Sequence, residues 1–375
     1  MRRAVSDRRE GPRPRRNAPR RATVVGAGAF GTAISVLLVR AGARTTLLCR
    51  TGEHAEAILE TGENERHLPG VPLPEELKVR VLASRDDQFR RADVIFLGVP
   101  SAGLPAALEE LRRQGTPRRA GIVSLAKGLV PPDGIPPTVA LARALGRRSV
   151  GCVGGPAHAQ EMLESGAGLV VASHSDRLAM NVSELFRRSG VVCQPSGDPI
   201  GVELAGCAKN AAALASGATV PQGLNAAGMA VADLFGEVLA LAEWHGASPR
   251  TFLGRAGVGD LIATALAGSS RNRSAGELLA DGVPAAEIPD RLGHAAEALD
   301  TVPLLATACE RARLEAPVLT ALARLIDGTM PLDDWIAMVR VSRPVERPLR
   351  SRASAWLQRA RRRLRRRPAI ATRPA

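Results

Sequence analysis

Val24-Val25-Gly26-Ala27-Gly28-Ala29-Phe30-Gly31-Thr32-Ala33 is the stretch that decides the fold. A short aliphatic run leads into G-x-G-x-x-G and then into residues that suit a helix, which places the glycines at a strand-to-helix turn. Each glycine has a task there. Gly26 permits the tight turn, Gly28 lets backbone approach a pyrophosphate, and Gly31 allows the helix to pack closely, while the helix N-terminus attracts the anion. The same residues lie in an apolar run of 18 residues, Ala22 to Val39, behind an arginine-rich leader, a layout shared by signal peptides and anchors. The three spaced glycines favour the strand-turn-helix instead.

Working outward, short aliphatic runs alternate with helical stretches as far as about Pro195. The predicted strands are Ala22–Val25, Thr45–Leu48, Val79–Leu82, Val94–Val99, Gly121–Ser124, Val150–Val153, Gly168–Ser173 and Val191–Pro195. This alternation implies a parallel, doubly wound α/β sheet. Beyond Pro199 the texture changes to long Ala- and Leu-rich segments at 200–217, 225–246, 250–266, 273–281, 285–299, 301–313 and 317–327. That half is predicted to be all helical, with several helices buried on more than one face. The expected organisation is a disordered basic tail (1–21), a nucleotide-binding domain (22–196), a helical substrate domain (197–340) and a second basic tail (341–375).

The chain has 375 residues, enough for two domains, and is 45% hydrophobic and 23% charged, ordinary for a globular protein and wrong for a polytopic membrane protein. The net charge of +14 is a property of the ends. Residues 1–21 hold nine arginines against Asp7 and Glu10, and residues 340–375 hold thirteen against Glu346, which leaves the body mildly acidic. Together with the absence of tyrosine, this argues against a nucleic-acid-binding fold. Cys49, Cys152, Cys193, Cys207 and Cys309 are odd in number and widely spread, as expected of reduced thiols in the cytoplasm. In 351–367 the residues Ala353, Trp356, Leu357, Ala360 and Leu364 would share one helix face among arginines, a pattern suited either to an anionic membrane surface or to a solvated tail.

Lysine usage is informative, because Lys78, Lys127 and Lys209 are the only three lysines among 51 basic residues. Arginine does not lose its proton near neutrality, whereas a desolvated lysine can serve as acid or base. Lys127 follows the predicted strand Gly121–Ser124, at the carboxyl end where open α/β sheets bind ligands. Lys209 lies on an apolar helical stretch near the domain boundary. Each is either a functional amine or a snorkelling surface lysine. At the end of the second strand stands Arg50, where a dinucleotide site that prefers an unphosphorylated ribose would carry an acid. It suits a ribose 2′-phosphate, or else it is a solvated loop residue.

Taken in order, several motifs resemble one family. They are the glycine turn at 26–31, Asn64 with His67-Leu68-Pro69-Gly70, Val99-Pro100-Ser101, Ala126-Lys127-Gly128-Leu129, and Gly154-Gly155-Pro156-Ala157-His158-Ala159-Gln160-Glu161. Gly201-Val202-Glu203 with Ala208-Lys209-Asn210, Gly257-Val258-Gly259-Asp260-Leu261 and Ser270-Arg271-Asn272-Arg273 complete the set. Over residues 22–331 the chain resembles the bacterial-type NAD(P)-dependent glycerol-3-phosphate dehydrogenases. The resemblance implies a Rossmann-like domain followed by an all-α domain of the 6-phosphogluconate-dehydrogenase-like kind. It implies the interconversion of glycerol 3-phosphate and dihydroxyacetone phosphate with NADP or NAD, no metal, a homodimer, and supply of glycerophospholipid synthesis. Arg50 tips the expectation toward NADP.

Carried over position by position, the resemblance gives Lys209 the general acid/base role. It matches Lys127, Gly155, Asp260, Ser270, Arg271 and Asn272, with Lys209 itself, to substrate positions. Gly26, Gly28, Ala29, Phe30, Gly31, Arg50, Lys127, Ala159, Arg271 and Glu297 match cofactor positions. The residue types agree with the chemistry. Hydride addition to a ketone leaves charge on oxygen, which an ammonium stabilises and protonates, and a phosphate needs fixed donors such as Arg271 beside Asn272 at a helix start. Three departures stand out: Ala157 where the family has a small hydroxyl residue, Asp233-Leu234-Phe235 where it tends to Arg-Gly-Leu, and Ala296 and Ala298 flanking Glu297. Two other readings are a dehydrogenase of the same build for another hydroxy acid or polyol phosphate, and a weakly catalytic nucleotide-binding regulator. The retained lysines speak against the second, since a sensor needs no proton donor.

Overall fold

The computed structural model describes residues 19–82, 87–146, 149–266 and 270–341. The expected basic tails, including the amphipathic pattern at 351–367, lie outside the described residues apart from their innermost positions. Among the described residues there are ten strands: β1 (Arg21–Val25), β2 (Arg44–Cys49), β3 (Glu63–Asn64), β4 (Leu68–Pro72), β5 (Lys78–Val81), β6 (Val94–Leu97), β7 (Gly121–Ser124), β8 (Val150–Gly154), β9 (Gly168–Ser173) and β10 (Val192–Ser196). Eight form one sheet in the order β10-β9-β8-β7-β6-β1-β2-β5, and β3 and β4 make a separate hairpin. From β1 the chain goes to β2 on one side and later crosses to β6 on the other. That reversal is the topological switch point, outside whose carboxyl ends ligands bind in open α/β sheets. The quoted sequence sits there, and the 18-residue apolar run divides between β1 and the helix Ala29–Arg40.

The sheet is parallel and doubly wound, as expected, except at one seam, where the parallel reading is corrected. β9 runs antiparallel to β8, with Gly154 opposite Val170, and β10 is parallel to β9. The segment 155–167 holds only the short helix Ala159–Glu164. It delivers the chain back to the end of the sheet it has just left, whereas a parallel neighbour requires a crossover that traverses the sheet. Central strands such as β6 and β7 are buried along their whole length, between apolar clusters that include Leu37, Phe96 and Phe186 on one face and Phe89, Ile95 and Leu104 on the other.

The second half is built around the helix Pro199–Thr219, buried at nearly every position. Asp198 starts it, with Oδ1 accepting from Gly201 N at 3.0 Å, and its Oδ2 accepts from Ser248 N at 2.9 Å. Against it pack the helices Leu224–Trp244 and Arg271–Ala280. The second contact is so close that a Cβ on Gly276 would strike the Leu214 carbonyl oxygen and one on Gly217 that of Arg273. Leu224–Trp244 is long and apolar enough to cross a membrane, but its Ala230, Leu234, Val238, Leu241 and Ala242 belong to the helical core.

Two predicted helices are broken. The segment 250–266 resolves into Pro249–Leu253, a π-helical turn at Arg255–Gly259, and Asp260–Leu266. Gly257 lies against Phe252 backbone, an approach that a side chain would forbid. The segment 285–299 stops at Gly293 (φ +71°), and a new helix, Glu297–Arg311, begins before the predicted start at 301.

Candidate active site

Lys127 and Lys209 arrive from the two halves of the molecule and meet on one carboxylate. Lys127 Nζ lies 3.1 Å from Asp260 Oδ2, and Lys209 Nζ lies 3.3 Å from Asp260 Oδ1. Lys209 sits mid-helix in Pro199–Thr219 and is 7% exposed. Asp260 opens its helix directly after the π-helical turn, a feature that recurs at functional sites, and is 1% exposed. Lys127 follows β7 and packs beside Gly206, with Nζ 5.6 Å from the Phe30 ring centroid. Phe30 belongs to the first turn of Ala29–Arg40, so the ammonium of Lys127 lies directly beside the glycine turn.

Burial is the chief reason that the Lys209 ammonium loses its proton more easily than a free lysine; the charge of Lys127 adds to it, and Asp260 and Glu297 oppose it. The balance brings its pKa from 10.5 to about 8. Asp260 moves the other way. Burial would raise its pKa, but the charges and hydrogen bonds of the two lysines prevail and hold it below the ordinary carboxylate value. The site thus keeps a fixed anion and a titratable cation side by side. Such opposed environments suit acid/base chemistry.

The structure adds Thr264, which the sequence did not single out, and shows how residues of the quoted motifs are tied together. Thr264, one helical turn after Asp260, accepts from Lys209 Nζ through Oγ1 at 3.0 Å and is 4% exposed. Asn210 Nδ2 donates to the Lys127 carbonyl oxygen and to Glu297 Oε2, both at 3.3 Å. Asn272 Oδ1 accepts from Ala298 N at 3.0 Å. These bonds draw the 271–272 helix start and the 297–298 helix start together beside the lysines. Ser270 caps the helix Arg271–Ala280, its Oγ accepting from Arg273 N at 3.4 Å, so its hydroxyl is partly committed to the backbone. Arg271 is exposed and has no hydrogen-bonding or ionic partner among the described residues. Its charge reaches His67, whose pKa is lowered by burial first, then by His54, Arg66 and Arg271.

The cofactor-matched positions form a second group at the switch point. Gly26 adopts φ +104°, and a Cβ there would strike the Gly98 carbonyl oxygen of the β6 end. A Cβ on Gly31 would strike the Gly26 carbonyl oxygen, whereas one on Gly28 would meet nothing within 4 Å. The turn is therefore closed on its protein side and open at Gly28. Gly28 is also the N-cap of Ala29–Arg40 and brings no side chain to the N–H groups of that first turn. An open glycine beside uncommitted N–H groups is the cradle that a dinucleotide pyrophosphate requires. Arg50 is exposed and without a partner among the described residues, just past the end of β2, the neighbour of β1. Gly155 (φ +101°) follows β8 against the Gly168 carbonyl, with half-buried Ala157 and Ala159 after it. Among the described residues no hydrogen bond joins these last three to the lysine cluster.

A sheet with a glycine turn at its switch point, joined to a helical half, with two lysines sharing one carboxylate where they meet, has the build of a two-domain dehydrogenase. Residues 21–179 match the family model described as NAD-dependent glycerol-3-phosphate dehydrogenase N-terminus, and residues 198–337 match the corresponding C-terminus. The chain belongs to the NAD-dependent glycerol-3-phosphate dehydrogenase family. Glycerol-3-phosphate dehydrogenase [NAD(P)+] of Deinococcus radiodurans is 37% identical over 313 residues, covering 81% of this chain and 90% of its own. The protein of the same name from Alcanivorax borkumensis is 33% identical over 315 residues, covering 83% and 91%. Among solved structures, glycerol-3-phosphate dehydrogenase of Coxiella burnetii superposes with a TM-score of 0.77 at 25% identity, covering 86% of this chain and 99% of its own. The Plasmodium falciparum structure, at 17% identity and a TM-score of 0.78 over 88% of this chain and 97% of its own, shares the fold.

Proposed function

We propose that this enzyme interconverts sn-glycerol 3-phosphate and dihydroxyacetone phosphate, with NADP(H) preferred over NAD(H) and Lys209 as general acid/base. The observation that carries the assignment is the buried Lys209 ammonium bonded to both Asp260 and Thr264. The nicotinamide, when bound, supplies or takes up the hydride. In reduction, charge develops on the carbonyl oxygen as its carbon is reduced; Lys209 Nζ transfers its proton to that oxygen and is left neutral. In oxidation the neutral amine takes the hydroxyl proton back. Asp260 stays ionised throughout, held by both lysines, and fixes the direction in which Lys209 points.

Lys127 adds a second positive charge near the developing oxyanion. Arg271, unpaired and exposed beside Asn272 at a helix N-terminus, suits the substrate phosphate, to which a guanidinium can give two parallel hydrogen bonds. Ser270 and Gly155 complete the substrate set. The turn Gly26–Gly31 with Ala29 and Phe30 would cradle the pyrophosphate. Lys127, Ala159, Arg271 and Glu297 would line the rest of the cofactor's course, and Arg50 would meet the ribose 2′-phosphate. A cytoplasmic location, a homodimer and a role in supplying glycerophospholipid synthesis belong to the same proposal. The five cysteines are free and buried, which suits a reducing compartment.

The deciding experiment is oxidation of NADPH and of NADH by the purified full chain with dihydroxyacetone phosphate. Turnover with both, faster at low NADPH, is expected. No turnover with this substrate, alongside turnover with another ketone, would reassign the substrate.

A further inference from the structure

Asn64 belongs to a quoted motif that neither the proton transfer nor the cofactor contacts above employ. It lies in β3, 1% exposed, and its side chain reaches the glycine turn from behind. Asn64 Nδ2 donates to the Ala27 carbonyl oxygen at 2.8 Å and to Thr32 Oγ1 at 2.8 Å. Ala27 lies between the first two glycines and Thr32 follows the third, so one amide ties the two arms of the turn together.

The orientation of that amide is dictated by chemistry. A carbonyl oxygen can only accept, so the nitrogen must face Ala27, and Oδ1 then faces His54 Nε2 at 3.0 Å. His54 must therefore carry its proton on Nε2 and donate it. His54 is itself fixed. Its backbone N–H donates to the Thr51 hydroxyl at 3.4 Å, at the start of the helix Gly52–Thr61 that follows Arg50, and its ring stands edge-on to His67, with centroids 5.3 Å apart.

A glycine-rich turn has no side chains of its own to hold its shape, and the freedom that lets Gly26 reach φ +104° also lets the turn wander. Ligand binding to a wandering turn loses affinity to the ordering that must accompany it. We propose that Asn64, oriented by His54, is a positioning residue that holds the glycine turn in the shape that receives the dinucleotide pyrophosphate. The inference rests on the nucleotide-dependent reading above. It assigns the β3–β4 hairpin the task of delivering this amide behind the turn.

Equilibrium titration of the full chain with NADPH and with NADH, followed by cofactor fluorescence, tests it without turnover. Asn64→Ala is expected to raise Kd about tenfold or more for both cofactors, because the loss frees backbone common to both. Once cofactor is saturating, kcat should fall less than about threefold and the KM for dihydroxyacetone phosphate should hold, since the lysine site is untouched. His54→Ala should weaken both cofactors, and His54→Gln, which restores an N–H donor toward Oδ1, should recover most of the loss. Unchanged Kd in Asn64→Ala, or His54→Ala and His54→Gln behaving alike, overturns the inference. If Asn64→Ala fails to fold, the His54 pair alone decides. Wild-type protein that binds neither cofactor would overturn the dehydrogenase reading itself, whereas normal binding with an indifferent Asn64→Ala overturns the latch alone.

Discussion

Replacing Lys209 by methionine keeps the length and most of the volume of the side chain while removing its proton and charge. With its pKa near 8, about nine-tenths of the wild-type enzyme carries the ammonium at pH 7, ready to act as the acid in ketone reduction. Loss of a positioned general acid lowers kcat by about 10²- to 10⁴-fold, and Lys209→Met should fall in that range. Folding should survive. Because burial lowers the Lys209 pKa below its unfolded value, its charge costs the folded state in full below about pH 8 and progressively less as pH rises from there to 10.5. Methionine removes that cost, while Asp260 loses one of two cations but keeps Lys127 at 3.1 Å. These opposed terms predict a near wild-type melting transition, and cofactor titration should give the wild-type Kd. Lys209→Arg retains a cation that cannot give up its proton, so it should recover at most the electrostatic share of the rate. The pH profile supplies an independent readout. In wild-type enzyme, reduction should decline above about pH 8 as the amine loses its proton, and oxidation should rise through the same range. Both limbs should vanish in the arginine variant. Near wild-type kcat in Lys209→Arg, or a limb near pH 8 that persists without Lys209, would refute the assignment.

Three further outcomes follow. Arg50→Ala should raise the KM for NADPH about tenfold, equivalent to one charge-assisted contact, and leave that for NADH nearly unchanged; equal effects would remove the argument for NADP preference. Thr264→Val should lower kcat about tenfold by leaving Lys209 Nζ without its 3.0 Å hydroxyl partner, and Thr264→Ser should retain most activity; indifference to both would detach Thr264 from the site. Glu203 accepts from Thr138 N at 2.8 Å and Thr138 Oγ1 at 2.6 Å, and burial pushes its pKa up from 4.5 to about 8 despite those bonds. The folded state therefore holds this proton more tightly than the unfolded one, and stability is lost as pH rises from about 4.5 through 8. Glu203→Gln should gain in Tm over wild type on going from pH 5 to pH 8, which thermal melts at the two pH values will show; parallel wild-type and variant curves would refute it.

The sheet was largely legible because its signals are local. Each parallel strand buried on both faces is a short aliphatic run, and the turn at Gly26–Gly31 needs residues without side chains whatever lies elsewhere. The seam between β8 and β9 was not legible, since strand direction depends on where the connection 155–167 delivers the chain and not on the strands' own composition. The break at 254–259 was hidden for a related reason. An Ala-, Leu- and Gly-containing segment has helical texture throughout, and its composition does not separate an α-helix from the π-helical turn at Arg255–Gly259, in which Gly257 comes up against Phe252 backbone.

At the site, residue identity and residue relationship separate in the same way. The sequence by itself determined which groups could do chemistry: three lysines in an arginine-rich chain, an acid at 260, an Arg-Asn pair at an expected helix start, and the glycine turn, since each residue type carries its own donors, charge and pKa range. Tertiary structure alone decided that Lys127 and Lys209 share Asp260, that Thr264 and Asn210 join them, and that Asn64 reaches behind the glycine turn. Those partners lie 37 to 133 positions apart in the chain. The pKa of Lys209 is likewise absent from its identity, because desolvation and neighbouring charge exist only once the two halves have closed around it.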